Sequence, residues 1–254
     1  MSGLWAIIRK EWKSYFVTPA AYVVLALFAV IAGFFFYSML AYYVMSSMGG
    51  GMFGGGGNLD IHSMLLQPLF FDIGITLLFL LPMVTMRLYA EENRSGTMEL
   101  LKTAPVRRME VVLGKFLAAL GLLLVLLLFV FGYVLVIWHY AHPHPGWAAL
   151  GGAFLGLLLL GSVYLSLGLF ISSLTRSQVV AGVSTFSVFL LLWVADWVTA
   201  YDNGGFAHII AYLSLTTHLT NFVQGVLDLK DVVYYLSLIF AGLFLTARRM
   251  ELAE

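Results

Sequence analysis

The stretch RLYAEENRSGTMELLKTAPVRRME, residues 87–110, decides how the rest of the chain is read. It gathers nine charged residues of both signs into under a tenth of a 254-residue chain. On either side of it charge disappears: none lies between Lys13 and Asp60, and none between Lys115 and Arg176. The whole chain is 61% hydrophobic and 10% charged, against roughly 25% charged in soluble domains. Apolar runs this long have no soluble core to fill, so they read as membrane spans of about 20 residues each.

Working outward, the pattern predicts an all-α integral membrane protein with six transmembrane helices, at residues 19–44, 65–88, 111–138, 147–171, 178–199 and 232–247. The basic residues support that count. With the N-terminus in the cytoplasm, the inner segments hold Arg9, Lys10 and Lys13; Arg87, Arg94, Lys102, Arg107, Arg108 and Lys115; Arg176; and Arg248 and Arg249. Of the 13 basic residues only Lys230 falls outside. Positive charge concentrates on the cytoplasmic side of membrane proteins, so both termini are expected there.

Before the first span, LWAIIRKEWKSYF forms an amphipathic helix. At about 100° per residue, Leu4, Ile8, Trp12 and Tyr15 share one side, with Trp5 and Phe16 beside them; Arg9, Lys10 and Lys13 take the other. Residues 1–16 are therefore expected to lie flat in the inner interface. The apolar run that follows exceeds the roughly 7–15 residues of a secretory signal. Outside, MSSMGGGMFGGGGNLD is a Gly-rich linker and HYAHPHPG a Pro-broken turn. Residues 205–230, partly apolar but interrupted by Thr216, Thr217, His218, Asn221 and Gln224, read as a re-entrant helical segment before span six. Such a segment needs its backbone sheltered by protein. Asp228 and Asp231 fit the N-cap and N3 positions of the last helix.

Residues 91–110 form the cytoplasmic loop between spans two and three. Ser95 and Gly96 break the second span; Thr97 to Thr103 can add a short helix, which Pro105 closes by pushing Ala104 from helical geometry. On that turn Met98 and Leu101 share a face and Glu99 and Lys102 another. So short a helix is marginal alone in water. An apolar knob among mixed charges suits docking to a soluble partner, with charge setting register and rate. An ordinary loop would account for the Arg and Lys, but not for three Glu in nine residues.

MRLYAEENRSGTMELLKTAPV resembles the signature of ABC-2-type transporter permeases, in particular a GldF-like, gliding-motility-type subfamily. RKEWKSYFVTPAAYVV and GVLDLKDVVYYLSLIFAGLFLTAR are similar to that subfamily's opening and end. The resemblance spans nearly the whole chain, as a single permease domain over residues 1–254. It implies that the first helix is an elbow, and that the loop after span two carries a coupling helix seated on a separate ABC ATPase. Glu91, Glu92, Gly96, Thr97, Glu99, Leu100 and Leu101 map to that coupling region. It further implies work in pairs, with a second copy or a GldG-like subunit, in a bacterial inner membrane.

The chain has no phosphate-binding loop of its own: G-x-x-x-x-G-K-[ST] would need glycine at Met109 and Ser or Thr at Phe116. No catalytic motif and no cofactor are expected on it; ATP and Mg belong to the partner. Nothing points to nucleic acid, and without Cys there is no thiolate chemistry. The expected function is export or translocation of an unidentified substrate, driven by the partner's ATP hydrolysis. The alternative is a membrane anchor or mechanical transducer that moves no solute.

Five side chains are candidates for a substrate path: Asp72 and Asp196 near the outer ends of spans two and five, and His218, Asn221 and Gln224 in the re-entrant segment. Intramembrane carboxylates are functional by default, although a polar contact between helices explains these as well. His139, His142 and His144 cluster in one outer turn, but Pro143 and Pro145 hinder their convergence on a metal. Gly152 and Gly156 form a GxxxG that permits close helix packing within the chain or between copies. Pro82 can kink span two.

Overall fold

The computed structural model of the chain describes residues 3–49, 61–96, 107–141, 144, 146–195, 197 and 212–252. Those residues are helical, with no strand among them. In order the helices are α1 (Gly3–Val17), α2 (Pro19–Gly49), α3 (Gln67–Thr85, entered through a π-helical turn at His62–Leu66), α4 (Ala90–Ser95), α5 (Arg108–Tyr140), α6 (Trp147–Leu174), α7 (Gln178–Val194), α8 (Leu215–Val223) and α9 (Leu229–Leu252). Stretches within α2, α3–α4, α5, α6 and α9 are long and apolar enough to cross a membrane. The expected fifth span is a shorter apolar helix of 17 residues. At 1.5 Å per residue it reaches about 26 Å, just under the ~30 Å hydrocarbon core.

Burial separates centre from rim. The apolar windows of α3 and α6 are 67% and 61% buried, that of α2 only 17%. α6 packs against α3, α5, α7, α8 and α9, while α2 turns Val30, Phe34, Tyr37 and Met45 outward. Lipid is as apolar as these side chains, so association between spans depends on close packing more than on burial. Glycines provide it. A Cβ on Gly156 would lie 2.6 Å from Phe222 Cβ, and one on Gly152 would lie 3.0 Å from Phe222 O. The GxxxG of α6 is therefore filled from within the chain, by α8.

Local polar bonds set the helix ends. Ser177 Oγ accepts from Val180 N at the start of α7, and Ser214 Oγ from Thr216 N at the start of α8. Glu110 reaches back to accept from Arg107 N at the start of α5. Asp228 Oδ1 accepts from Lys230 N, 3.1 Å, as the N-cap reading requires. Asp231, the expected N3 partner, turns instead to α8.

Contacts remote in sequence bring four basic segments to one end of the bundle. Lys115 meets Glu11 of α1. Asn93 of α4 donates to Thr175 O beyond α6, beside Arg176. Tyr89 Oη lies 3.6 Å from Met250 Sδ, beside Arg248 and Arg249. Lys230 is at the opposite end, where His62 Nε2 bonds Val223 O, 2.8 Å, and where Gly225 packs against Ala149.

Candidate functional site

Residues 87–110 are the stretch where the sequence leads one to expect a partner, and the described part of it is built into a charged knot. α3 stops at Thr85, and residues 86–89 turn before α4 begins. That break exposes backbone groups that a membrane protein must satisfy internally. Ser172 of α6 does so: its Oγ accepts from Tyr89 N and Ala90 N, 3.2 and 3.1 Å, and donates to Met86 O, 3.2 Å. Gly96 then ends α4 with φ +72°, a left-handed geometry that glycine adopts without steric cost.

Lys115 is the centre of the knot. It sits two turns inside α5 and is 2% exposed. Its Nζ lies 2.9 Å from Glu92 Oε1, 3.1 Å from Glu11 Oε1 and 2.8 Å from Leu88 O. All three ammonium protons are thus taken. The Nζ is also 5.1 Å from the centre of the Tyr89 ring, within cation–π range. Lys10 adds a second, exposed cation 3.5 Å from Glu92 Oε1. A lysine this buried is stable only when paired and hydrogen-bonded. Here the pairing fastens α1, α4 and α5 to one another.

α1 can reach this position because its inner face is seated on α5. A Cβ on Gly114 would lie 2.7 Å from Ile7 Cγ2, and Trp12 covers Gly121 one heptad further along. Leu4, Ile8, Trp12 and Tyr15 are half-buried, as the amphipathic reading requires, and Trp5 is exposed. Glu11, 8% exposed, falls in the middle of that apolar face. Nearby, burial and then the charge of Glu11 raise the Tyr15 phenol above its usual range, so it stays a neutral hydroxyl.

Of the expected coupling residues, Glu92 is in the knot, Glu91 is exposed beside it on α4, and Gly96 is the cap. Thr97, Glu99, Leu100 and Leu101 lie outside the described residues. Sequence reasoning placed Lys115 at the start of span three without a partner, and it passed over Glu11. The available signal was an acidic residue on the apolar stripe of an amphipathic helix.

At the other end, His218 and Asn221 come together on Asp231, which is fully buried. His218 Nδ1 is 2.6 Å from Asp231 Oδ1, and Asn221 Nδ2 donates to Oδ2 at 2.7 Å. His218 Nε2 lies 3.0 Å from Tyr212 O. Both ring nitrogens thus face oxygens. Tyr234 stacks on the imidazole at 3.9 Å, and its hydroxyl donates to Leu213 O, 2.6 Å. Gln224 is exposed in the turn after α8. Asp72 is half-buried on α3, two residues before Gly74, where α3 touches Leu219 of α8. Asp196 lies outside the described residues. So does His142; His144 stacks on Trp138, and Nδ1 lies 2.8 Å from Trp138 O. Among the described residues no three side chains are grouped to hold a metal.

The family model described as ABC-2 family transporter protein matches residues 5–246, nearly the whole chain. The chain belongs to the ABC-2 transporter family. It is accordingly a multi-pass membrane protein of the permease type, in a family whose members in general work with an ABC ATPase. Comparison with curated proteins gives no match.

Proposed function

We propose that this permease is a six-span subunit, with both termini in the cytoplasm, that converts the strokes of a separate ABC ATPase into movement of its first three spans. The Lys115 knot carries this reading. A partner seated on residues 97–103 pulls directly on α4, and α4 is bonded through Glu92 to Lys115 of α5 and through it to Glu11 of the elbow. Buried ion pairs have strict geometry, so displacement of α4 is passed to α1 and α5 as a unit. α7 serves as the fifth span. α8, about 14 Å long at nine residues, is the re-entrant element. The end that collects the basic segments is cytoplasmic, by the positive-inside rule. A second copy, or a GldG-like subunit, completes the translocation path in the bacterial inner membrane. ATP and Mg reside on the partner.

The test is an ATPase assay on the reconstituted complex carrying Lys115→Met. The expected result is an ATPase that still co-purifies with the permease but is no longer stimulated by it. Full stimulation would refute transmission through the knot. Loss of co-purification would assign Lys115 to assembly rather than to coupling.

A further inference from the structure

Beside the knot is a partly open cavity of about 330 Å³, lined by residues of α1, the start of α2, the inner end of α3, α4 and α5. That is the small end of the ~300–1,000 Å³ range of ligand pockets. One wall is apolar and buried: Ala21, Val24, Val84 and Leu122. The other is polar, and three of its residues each carry a side-chain atom that is buried without a hydrogen-bond partner: Tyr15 Oη, Arg87 Nε and Glu92 Oε2. Buried polar atoms in folded proteins are almost always satisfied, so three orphans around one cavity call for a common partner.

Their chemistry describes that partner. Glu92 gives Oε1 to Lys115 and Lys10, which leaves Oε2 as an anionic acceptor. Arg87 offers a guanidinium N–H, which prefers a phosphate or carboxylate oxygen. The Tyr15 hydroxyl donates or accepts. The complement is a compact zwitterion with N–H donors at one end and anionic oxygens at the other. The apolar wall faces the first turns of α2, next to the elbow, and Met83 on the rim is 40% exposed. A solute with only a polar head leaves that side uncovered; one with an acyl tail covers it.

We infer that this cavity binds the headgroup of an inner-leaflet aminoethyl phospholipid, with the ammonium on Glu92 Oε2, the phosphate on Arg87 and Tyr15, and the acyl chains leaving past Met83. The lipid then bridges the elbow and the end of α3 beside the knot. This depends on the elbow end lying at the inner interface, but not on any ATPase.

The full-length permease is reconstituted in nanodiscs of equal phosphatidylethanolamine, phosphatidylcholine and phosphatidylglycerol. It is then released into mild detergent, and the retained lipids are counted by native mass spectrometry. Phosphatidylethanolamine should be retained about fivefold over the others, the ratio that one good hydrogen bond supplies. Choline has no N–H for Glu92, and phosphatidylglycerol has no cation. Arg87→Gln and Tyr15→Phe remove phosphate contacts common to the three lipids and should each lower total lipid retention, whereas Glu92→Gln should abolish the preference. Tyr15→Phe removes one oxygen and decides the matter if Arg87→Gln fails to fold. Equal retention of the three lipids, or total lipid retention untouched by Tyr15→Phe in a folded protein, would overturn the site. Retention of none would leave a water-filled cavity and overturn it too. Soluble glycerophosphoethanolamine that displaces the lipid at equimolar concentration would overturn the tail-dependent part and assign the site to a free solute.

Discussion

Lys115 and Glu92 are 2.9 Å apart, yet they belong to different helices joined through the charged loop that the sequence singles out. Glu92 is on α4, ahead of that loop, and Lys115 is on α5, behind it. The pair therefore closes the loop at its base, and Glu11 ties the elbow to the same ammonium at 3.1 Å. A force on the loop reaches three helices through one side chain.

Removing Lys115 leaves two largely buried carboxylates with only the exposed Lys10 beside them, and breaking a buried pair costs up to about 3–5 kcal/mol. Lys115→Met should therefore lower the thermal stability of the purified permease substantially. Glu11→Gln should cost less, because Glu92 and Leu88 O still hold the ammonium. A double-mutant cycle of Lys115→Met with Glu92→Leu should give a coupling energy of about 1–3 kcal/mol. Coupling near zero would mean that the two residues act independently.

Docking is a separate matter from stability. Glu99→Arg or Leu101→Asp should leave the permease inserted and folded but loosen the ATPase by on the order of 2 kcal/mol, about thirtyfold. Pull-down of the ATPase and its stimulated activity check this. Unchanged values in both variants would remove residues 97–103 from the interface.

Topology follows from charge and is open to direct test, because the chain has no Cys. Single Cys residues at Gly55 and Ala141 should react with an impermeant thiol reagent in intact cells, and those at Ser177 and Glu254 should not. Reaction at Ser177 or Glu254 but not at Gly55 would invert the orientation.

What was legible in the sequence is what periodicity and composition encode. Five long apolar helices, the one-sided face of α1 and the basic segments follow from local patterns, and contacts such as Tyr89–Met250 gather those segments at one end. The knot is different in kind. Lys115 and Glu11 are 104 positions apart, and nothing local marks them as partners. Asp231 shows the same limit: its position suits a helix cap, but the buried His218 and the half-buried Asn221 compete for the carboxylate and win. The GxxxG was legible as a contact, but the identity of its occupant, Phe222, was not. Sequence spacing locates a flat face on one helix and is silent on what covers it.

That contact gives a test of α8. A side chain at Gly156 would meet Phe222 Cβ 2.6 Å from its own Cβ, so Gly156→Val should destabilise by about 1–3 kcal/mol through overpacking. Phe222→Ala should restore part of the loss by making room. A Gly156→Val variant with unchanged melting behaviour would mean that α8 does not rest on α6.

The last prediction concerns how α8 is held. Asp231 is buried with both carboxylate oxygens engaged, by His218 and Asn221. Asp231→Ala removes the partner of His218 Nδ1 and of Asn221 Nδ2 together, and a loss of about 1–3 kcal/mol is expected for each buried polar group left unsatisfied. His218→Ala should cost less, because Asn221 Nδ2 still holds Oδ2 of the carboxylate. If α8 is re-entrant, Cys at Gly205 and Cys at Lys230 both react with the impermeant reagent from outside. Asp231→Ala should then raise the reactivity of Cys placed at Asn221, as α8 lifts from its seat. Labelling of Gly205 and Lys230 from opposite sides would make the segment a full crossing, which would also carry Arg248 and Arg249 outside, against the charge distribution.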